Sequence, residues 1–374
     1  MHKVITLGLS FTFLTSAWAA QSQPSLFPIK SQAELTSRHS KFKENITTIA
    51  YLVKAGGYGG NEQIGKLIYA GISPNLPELT VSRDAATGIC YMMNENANVT
   101  DRDYKTLNFS CISTDPSHFN LYWNDNFGAM NGGYSPANDM LYAVDTVTNM
   151  FKDWYNIPPV VDGTLKKRIN VSILKNWNNA TADVKDGIWV GDGIGSEIGY
   201  PLTSLGVISF LTGMIFTEQN SNLYDGEYAQ SSGIAHAFYS MTAMAAEYYA
   251  TGKNTWQVGA DISRNGVALH YLDRPSKNGK DIDTLSQYHE GMQAFESCGL
   301  FNRAFYLLAT SNGWDTHKAY NVFVQANRFH WRDRRMDFQK GACEVVISAR
   351  ELGYETASVM NAFSYVGIDD VRLC

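Results

Sequence analysis

Residues 200–220 read YPLTSLGVISFLTGMIFTEQN, and the reading of this stretch decides the fold. No proline follows Pro201, so the segment can run for about four turns of helix. Leu205, Val207, Ile208, Phe210, Leu211, Met214, Ile215 and Phe216 then fall on every side. A surface helix carries one apolar stripe, whereas an element apolar all round is enclosed by the rest of the molecule. This is therefore a core helix, and a chain of 374 residues with 44% hydrophobic and 13% aromatic content is large enough to enclose it in one bipartite domain or two.

The formal net charge of -6 and the lack of a long basic run exclude nucleic acid as an expected partner. Residues 1–20, MHKVITLGLSFTFLTSAWAA, combine a basic start, an apolar run and an A-x-A site at Ala17 to Ala19, the pattern of a cleaved secretory leader. No later segment reaches the roughly 18 continuous apolar residues of a membrane span. The chain is expected to be exported and soluble, where disulfides are permitted among Cys90, Cys111, Cys298, Cys343 and Cys374. Five is odd, which leaves one thiol free.

Outward from the central stretch, the two sides differ in pattern. Before it, short β-type runs such as LTVSR, GICYMM, LNFSCIS and the segment 168–193 point to strands and hairpins, with one helix at 136–155 opened by Ser135 and Pro136. After it, helices are expected at 203–219, 231–251, 299–311, 315–331, 338–353 and 356–366, an all-α half. The organisation read from this is a leader over 1–20, an N-terminal arm or short helix over 21–54, a β-rich lobe over 55–202 and an α-helical lobe over 203–374.

The flanks YPLTSL and TEQN resemble those around the central helix of thermolysin-like secreted metallopeptidases, where H-E-x-x-H supplies two zinc ligands and the general base. The likeness extends from about Gly56 to the C-terminus, through GGYGGNEQIGKLIYAG, GGYSPANDMLYAVDTV, EYYATGKNTW, DRPSKNGKDID, GLFNRAFYLLATSNGWDT and KGACEVVISA. It implies an α+β fold of two lobes joined by the buried helix. It also implies disulfides Cys90–Cys111 and Cys343–Cys374, leaving Cys298. The space before Gly56 is too short for the folding prodomain the family usually carries.

The same resemblance implies a degenerate site. Without a gap, the five motif positions are Phe210, Leu211, Thr212, Gly213 and Met214, so the two His ligands become Phe210 and Met214 and the base becomes Leu211. Phe and Leu neither bind zinc nor take a proton, and a lone thioether suits soft Cu(I) rather than zinc. The third ligand, Glu, becomes His236, and an Asp one turn on becomes Ser240. The oxyanion His and its Asp become Phe295 and Gln293, and the Arg that holds the substrate carbonyl becomes His270, which cannot form a guanidinium fork. The calcium carboxylates become Gly206, Met244 and Thr255, with Glu247 retained. On the edge strand that docks peptide in the family, Thr181, Ala182 and Asp183 stand after NNA in place of aromatic residues.

The expected function is a secreted pseudopeptidase without zinc or calcium, with these positions lining the cleft and a peptide or protein as its partner. Two alternatives stand beside it. One is a zinc endopeptidase like the rest of the family. The other is a hydrolase rebuilt around His236 and His270, with His289, Glu290 and Glu296 nearby. Cys298 reads as a buried thiol, or as a nucleophile with His236 or His289 as its base.

Overall fold

The computed structural model describes residues 50–71, 75–111, 120–121, 130–162, 165–194, 198–223, 226 and 229–374. The leader and most of the arm fall outside the described residues. Strand β1, Ala50–Asn61, begins inside the segment assigned to the arm, so Ala50 to Lys54 belong to the β-rich lobe. Its first half pairs antiparallel with β3, Leu79–Asp84, and its second half forms a hairpin with β2, Gly65–Tyr69. Strands β4, Ile89–Tyr91, β6, Asn108–Ser110, and β7, Asn120–Leu121, complete this sheet in the order β2-β1-β3-β4-β6, with β7 parallel to β1.

Helix α1, Pro136–Tyr155, packs on β1. Ser135 caps it by accepting from Asn138 N, Pro136 occupies its first turn and Asn156 closes it in the left-handed region. The approach to β1 is close because Gly59 is a glycine: a Cβ there would collide with the Asp139 carboxylate. After a small hairpin of β8, Val161–Asp162, and β9, Leu165–Lys166, comes a second sheet. It orders β11, Ala180–Asp183, β12, Gly187–Gly191, β10, Ile169–Leu174, and β5, Ala97–Thr100, with β11 at its edge as expected.

The central helix, α2, runs Leu205–Asn220 behind a Ser204 cap and is buried along Val207 to Gly213 and again from Ile215 to Thr217. Each fully buried Leu or Phe on it contributes roughly 1.5–3 kcal/mol of burial. Helix α3, Gln230–Thr251, lies against α2. Gly213 allows this, since a Cβ there would stand 2.5 Å from Thr242 Oγ1.

The C-terminal half departs from an all-α expectation in one place. Gly252, in the left-handed region at φ 72°, closes α3 by donating its N–H to Tyr248 O. Strands β13, Gln257–Val258, and β14, His270–Tyr271, then pair antiparallel. The remaining helices are α4, Ala294–Ser297, α5, Gly299–Ala309, α6, Thr316–Gln325, α7, Phe338–Glu351, and α8, Thr356–Tyr365. Helix α6 stops short of the expected end at 331 because its last turn widens into a π-turn over Ala326–His330, from which Trp331 N donates to Ala326 O and the indole sinks to full burial. Cys90–Cys111 and Cys343–Cys374 are formed, each with Cα atoms 5.5 Å apart, and Cys298 is free and buried.

Candidate functional site

Helix α2 brings Phe210 and Leu211 into the core, 1% and 0% exposed, and leaves Met214 half-buried one turn on. Helix α3 carries His236, 8% exposed, and Ser240, wholly buried with its hydroxyl on the His236 carbonyl at 3.3 Å. The β13–β14 hairpin carries His270, and the short helix α4 carries Phe295 behind Gln293, which is half-buried at the helix start.

These elements converge on one aromatic cluster. The Phe210 ring lies nearly parallel to His270 at 6.2 Å and edge-on to His236 at 6.3 Å and Tyr239 at 5.3 Å. Phe295 sits 4.1 Å from His270 and 6.2 Å from His236. Phe210, His236, His270 and Phe295 are therefore neighbours, and all four are buried rather than set on an open cleft wall.

Electrostatics inside the cluster follow from burial. His270 Nδ1 meets Asp281 Oδ2 at 2.7 Å, both side chains closed to solvent. Burial pushes the Asp281 carboxyl upward, and the charge and hydrogen bond of His270 pull it part of the way back. With Nδ1 donating to Asp281, His270 Nε2 faces the cluster with no hydrogen-bond partner, and His236 Nδ1 likewise has none. Burial, then the nearby His270, lower His236 to about 3, so its ring is neutral at any physiological pH.

Cys298 is wholly buried and meets His270 at 3.8 Å, not His236 or His289. The thiol donates to Phe295 O at 3.0 Å, and burial followed by the Asp281 charge holds its pKa well above the usual range. Asp281 and Cys298 both contact the same ring nitrogen, so the geometry is not that of a nucleophile, base and orienting acid in line. His289 and Glu290 are exposed, and Glu296 is half-buried, its carboxyl raised by burial first and then by the Asp281 charge.

The donor set does not fit the zinc centre that the resemblance implies. Phe210 and Leu211 offer no ligand atom and Met214 only a thioether, while His236 and His270 together leave the three-ligand minimum of a catalytic site unmet. Among the described residues only His270, Asp281 and Cys298 gather three ligand atoms, and there Nδ1 is already committed to a 2.7 Å hydrogen bond.

The calcium positions look different. Gly206, Met244, Glu247 and Thr255 line a cavity of about 550 Å³ between the lobes, together with Asp139 and Asp261. Asp139 is buried, accepting from Tyr69 Oη at 2.6 Å and from Gly60 N at 3.0 Å. Burial still raises its carboxyl to about 7, those bonds opposing and the Asp261 charge adding. Asp261 rises to about 6, again by burial first, with Glu247 adding and a Ser204 hydrogen bond opposing. The sequence reading missed Asp139, Asp261 and Asp281. Asp139 sits in the first turn of α1 and Asp281 within the family-like DRPSKNGKDID, so both could have been found there, whereas Asp261 lies in a short 3-10 turn, Ala260–Ile262, with no motif.

A buried central helix held between a β-rich lobe and a helical lobe defines a two-lobed metallopeptidase scaffold of the α+β class. The comparisons agree. Residues 71–210 match the thermolysin metallopeptidase catalytic domain and 224–368 its alpha-helical domain. The chain belongs to the thermolysin-like metallopeptidase family.

Among relatives, it is 35% identical over 337 residues to the zinc metalloproteinase MspA of Legionella longbeachae, covering 87% of this chain and 61% of that protein. It is 37% identical over 320 residues to the virulence metalloprotease of Vibrio anguillarum, covering 84% and 49%. The chain thus spans half to three-fifths of the length of these relatives. The precursor of protealysin from Serratia proteamaculans shares the fold with a TM-score of 0.59 at 16% identity, over 73% of this chain and 87% of that one. Among the described residues no helix is long and apolar enough to cross a membrane.

Proposed function

We propose that this chain is an exported, non-cleaving member of its family that acts by binding a peptide or protein partner. One observation carries the reading: the α2 positions that the resemblance assigns to the zinc motif hold Phe210, Leu211 and Met214, of which Phe and Leu offer no ligand atom or base and Met only a thioether. Support comes from Phe295, which gives the oxyanion position no donor, and from His270, whose Nδ1 is turned to Asp281. The catalytic-domain match also stops at Phe210, the first of the five positions aligned with the zinc motif. Export is supported by the two disulfides and by the leader-like residues 1–20.

The test is incubation of the purified protein with a peptide mixture, read by mass spectrometry. The reading expects peptides retained intact, and new termini that vanish with chelator would overturn it. A rebuilt hydrolytic site is the second reading, favoured by the unpartnered His236 Nδ1 and His270 Nε2. It requires that His236→Ala abolish a measurable hydrolysis, whereas the binding reading expects no hydrolysis to abolish.

A further inference from the structure

The basic residues of this acidic chain are unevenly placed. Residues 328–340, RFHWRDRRMDFQK, hold Arg328, Arg332, Arg334, Arg335 and Lys340 against Asp333 and Asp337. Asp333 interrupts them, so they form no continuous basic run, yet no other stretch of thirteen residues in the sequence holds five Lys and Arg. In a chain of net charge -6, an anion is drawn to the place where cations locally outnumber acids. The segment runs from the π-turn that ends α6 to the first turn of α7, and Arg334 and Arg335 stand just before the N-terminus of α7, whose dipole adds to the positive field.

The fold holds this segment firmly and turns its cations outward. Trp331, wholly buried with its indole donating to Gly341 O at 3.2 Å, and Met336, buried as well, pin it at two points. Before and between these anchors Phe329, Arg332, Arg334 and Arg335 are exposed. The Arg328 guanidinium lies 4.8 Å from the centre of the Phe329 ring, and Arg332 Nη2 donates to Arg328 O, so two guanidiniums and one aromatic ring share the end of the π-turn. The acids at hand are in use: Asp333 accepts from Lys340 Nζ at 2.9 Å and from Arg335 N at 3.0 Å, Asp337 caps α7, and Glu344 and Glu351 meet His330. Phe329 is 51% exposed, and among the described residues no other Phe or Trp is exposed. An aromatic ring left in water beside arginines is an apolar surface with no protein neighbour to bury it.

We propose that this segment is a docking surface for an anionic lipid bilayer, with Arg332, Arg334 and Arg335 on the headgroup phosphates and Phe329 entering the boundary beneath them. Charge and ring together choose the occupant. Guanidiniums match phosphate oxygens with paired hydrogen bonds, and the layer under the headgroups supplies an apolar medium that a soluble polyanion lacks. A few arginines with one aromatic wedge give reversible attachment that salt weakens, not permanent anchoring. The surface lies apart from the aromatic cluster, and the proposal holds whether the chain retains peptides or cleaves them.

The experiment co-sediments the purified chain with vesicles of phosphatidylcholine alone and of phosphatidylcholine mixed with phosphatidylglycerol, at low and at raised salt, and passes it over immobilised heparin in a separate arm. The expected result is sedimentation with the mixed vesicles only, weakened by raised salt. Reversing Arg334→Glu and Arg335→Glu together should weaken it by about tenfold or more, and Phe329→Ser by about tenfold. Arg334→Lys with Arg335→Lys should keep most of the binding, because a point charge still attracts phosphate. The pair Arg102→Glu and Lys105→Glu makes the same change in net charge on exposed residues of the β-rich lobe and should leave binding unchanged. Far-UV circular dichroism and melting establish that each variant folds. No sedimentation with the mixed vesicles, equal sedimentation with the neutral ones, or a loss in the β-lobe pair as large as in the Arg334 and Arg335 pair would overturn the proposal. Binding unchanged in folded Phe329→Ser, or retention on heparin without vesicle binding, would assign the patch to a soluble polyanion and overturn it as well.

Discussion

The α2–α3 pair meets two regions of opposite character. Around Phe210 the space is filled, with the rings of Phe210, Phe295, His236 and His270 in contact and little exposure. Around Gly206 and Met244 it is hollow, a 550 Å³ cavity with three acids on its wall. The resemblance assigns the first region to zinc and the second to calcium. A metal position can thus be closed by apolar side chains, which adds core, or left as a cavity whose remaining carboxylates carry a cost. The first outcome makes the region part of the stability of the fold, and the second ties it to pH through carboxyls that burial raises.

The comparison breaks most easily at Phe210. Truncating a filled core position should cost about 3–5 kcal/mol, so Phe210→Ala is expected to lower unfolding free energy by that amount in a urea titration. A loss below about 1 kcal/mol would mean that the cluster is not load-sharing core.

The hollow region makes a pH prediction. The folded carboxyl of Asp139 lies at about 7, above its ordinary value of 3.8. The native state therefore holds this proton more tightly than the unfolded chain. Its contribution is fully present below 3.8 and is lost as pH rises through about 7. Asp139→Asn removes that loss, so the melting temperature of the variant relative to the parent should rise by roughly 3 °C or more between pH 4 and pH 8. A difference that stays constant across that interval would contradict the burial argument.

A smaller effect concerns Cys298. Closed to solvent and held as a thiol, it should resist iodoacetamide in the native protein and react only after unfolding, as followed by intact mass. Rapid native labelling would place it in an open cleft.

Much of the scaffold was legible in the sequence because it depends on local pattern. The all-round apolar run gave α2 within two residues of its observed start, and Ser135 with Pro136 gave the first turn of α1. The resemblance supplied the disulfides. What stayed hidden depends on contacts distant in sequence. His270 stands on a two-residue strand too short to show alternation, and the chain turns back through the 3-10 turn Pro275–Asn278 to bring Asp281 against it. Trp331 pulls the end of α6 into a π-turn through tertiary burial, which no local propensity encodes. Phe210, His236, His270 and Phe295 meet from four separate elements, so whether their region would be full or hollow depended on side-chain volumes that no single stretch of sequence displays.

The central claim is that α2 supports the fold and does no zinc chemistry. Metal analysis of the purified chain after dialysis against zinc, combined with a quenched-peptide assay with and without chelator, tests it most directly. The account predicts far less than one zinc per chain and no chelator-sensitive cleavage. One tightly held zinc per chain with cleavage that chelator abolishes would contradict it.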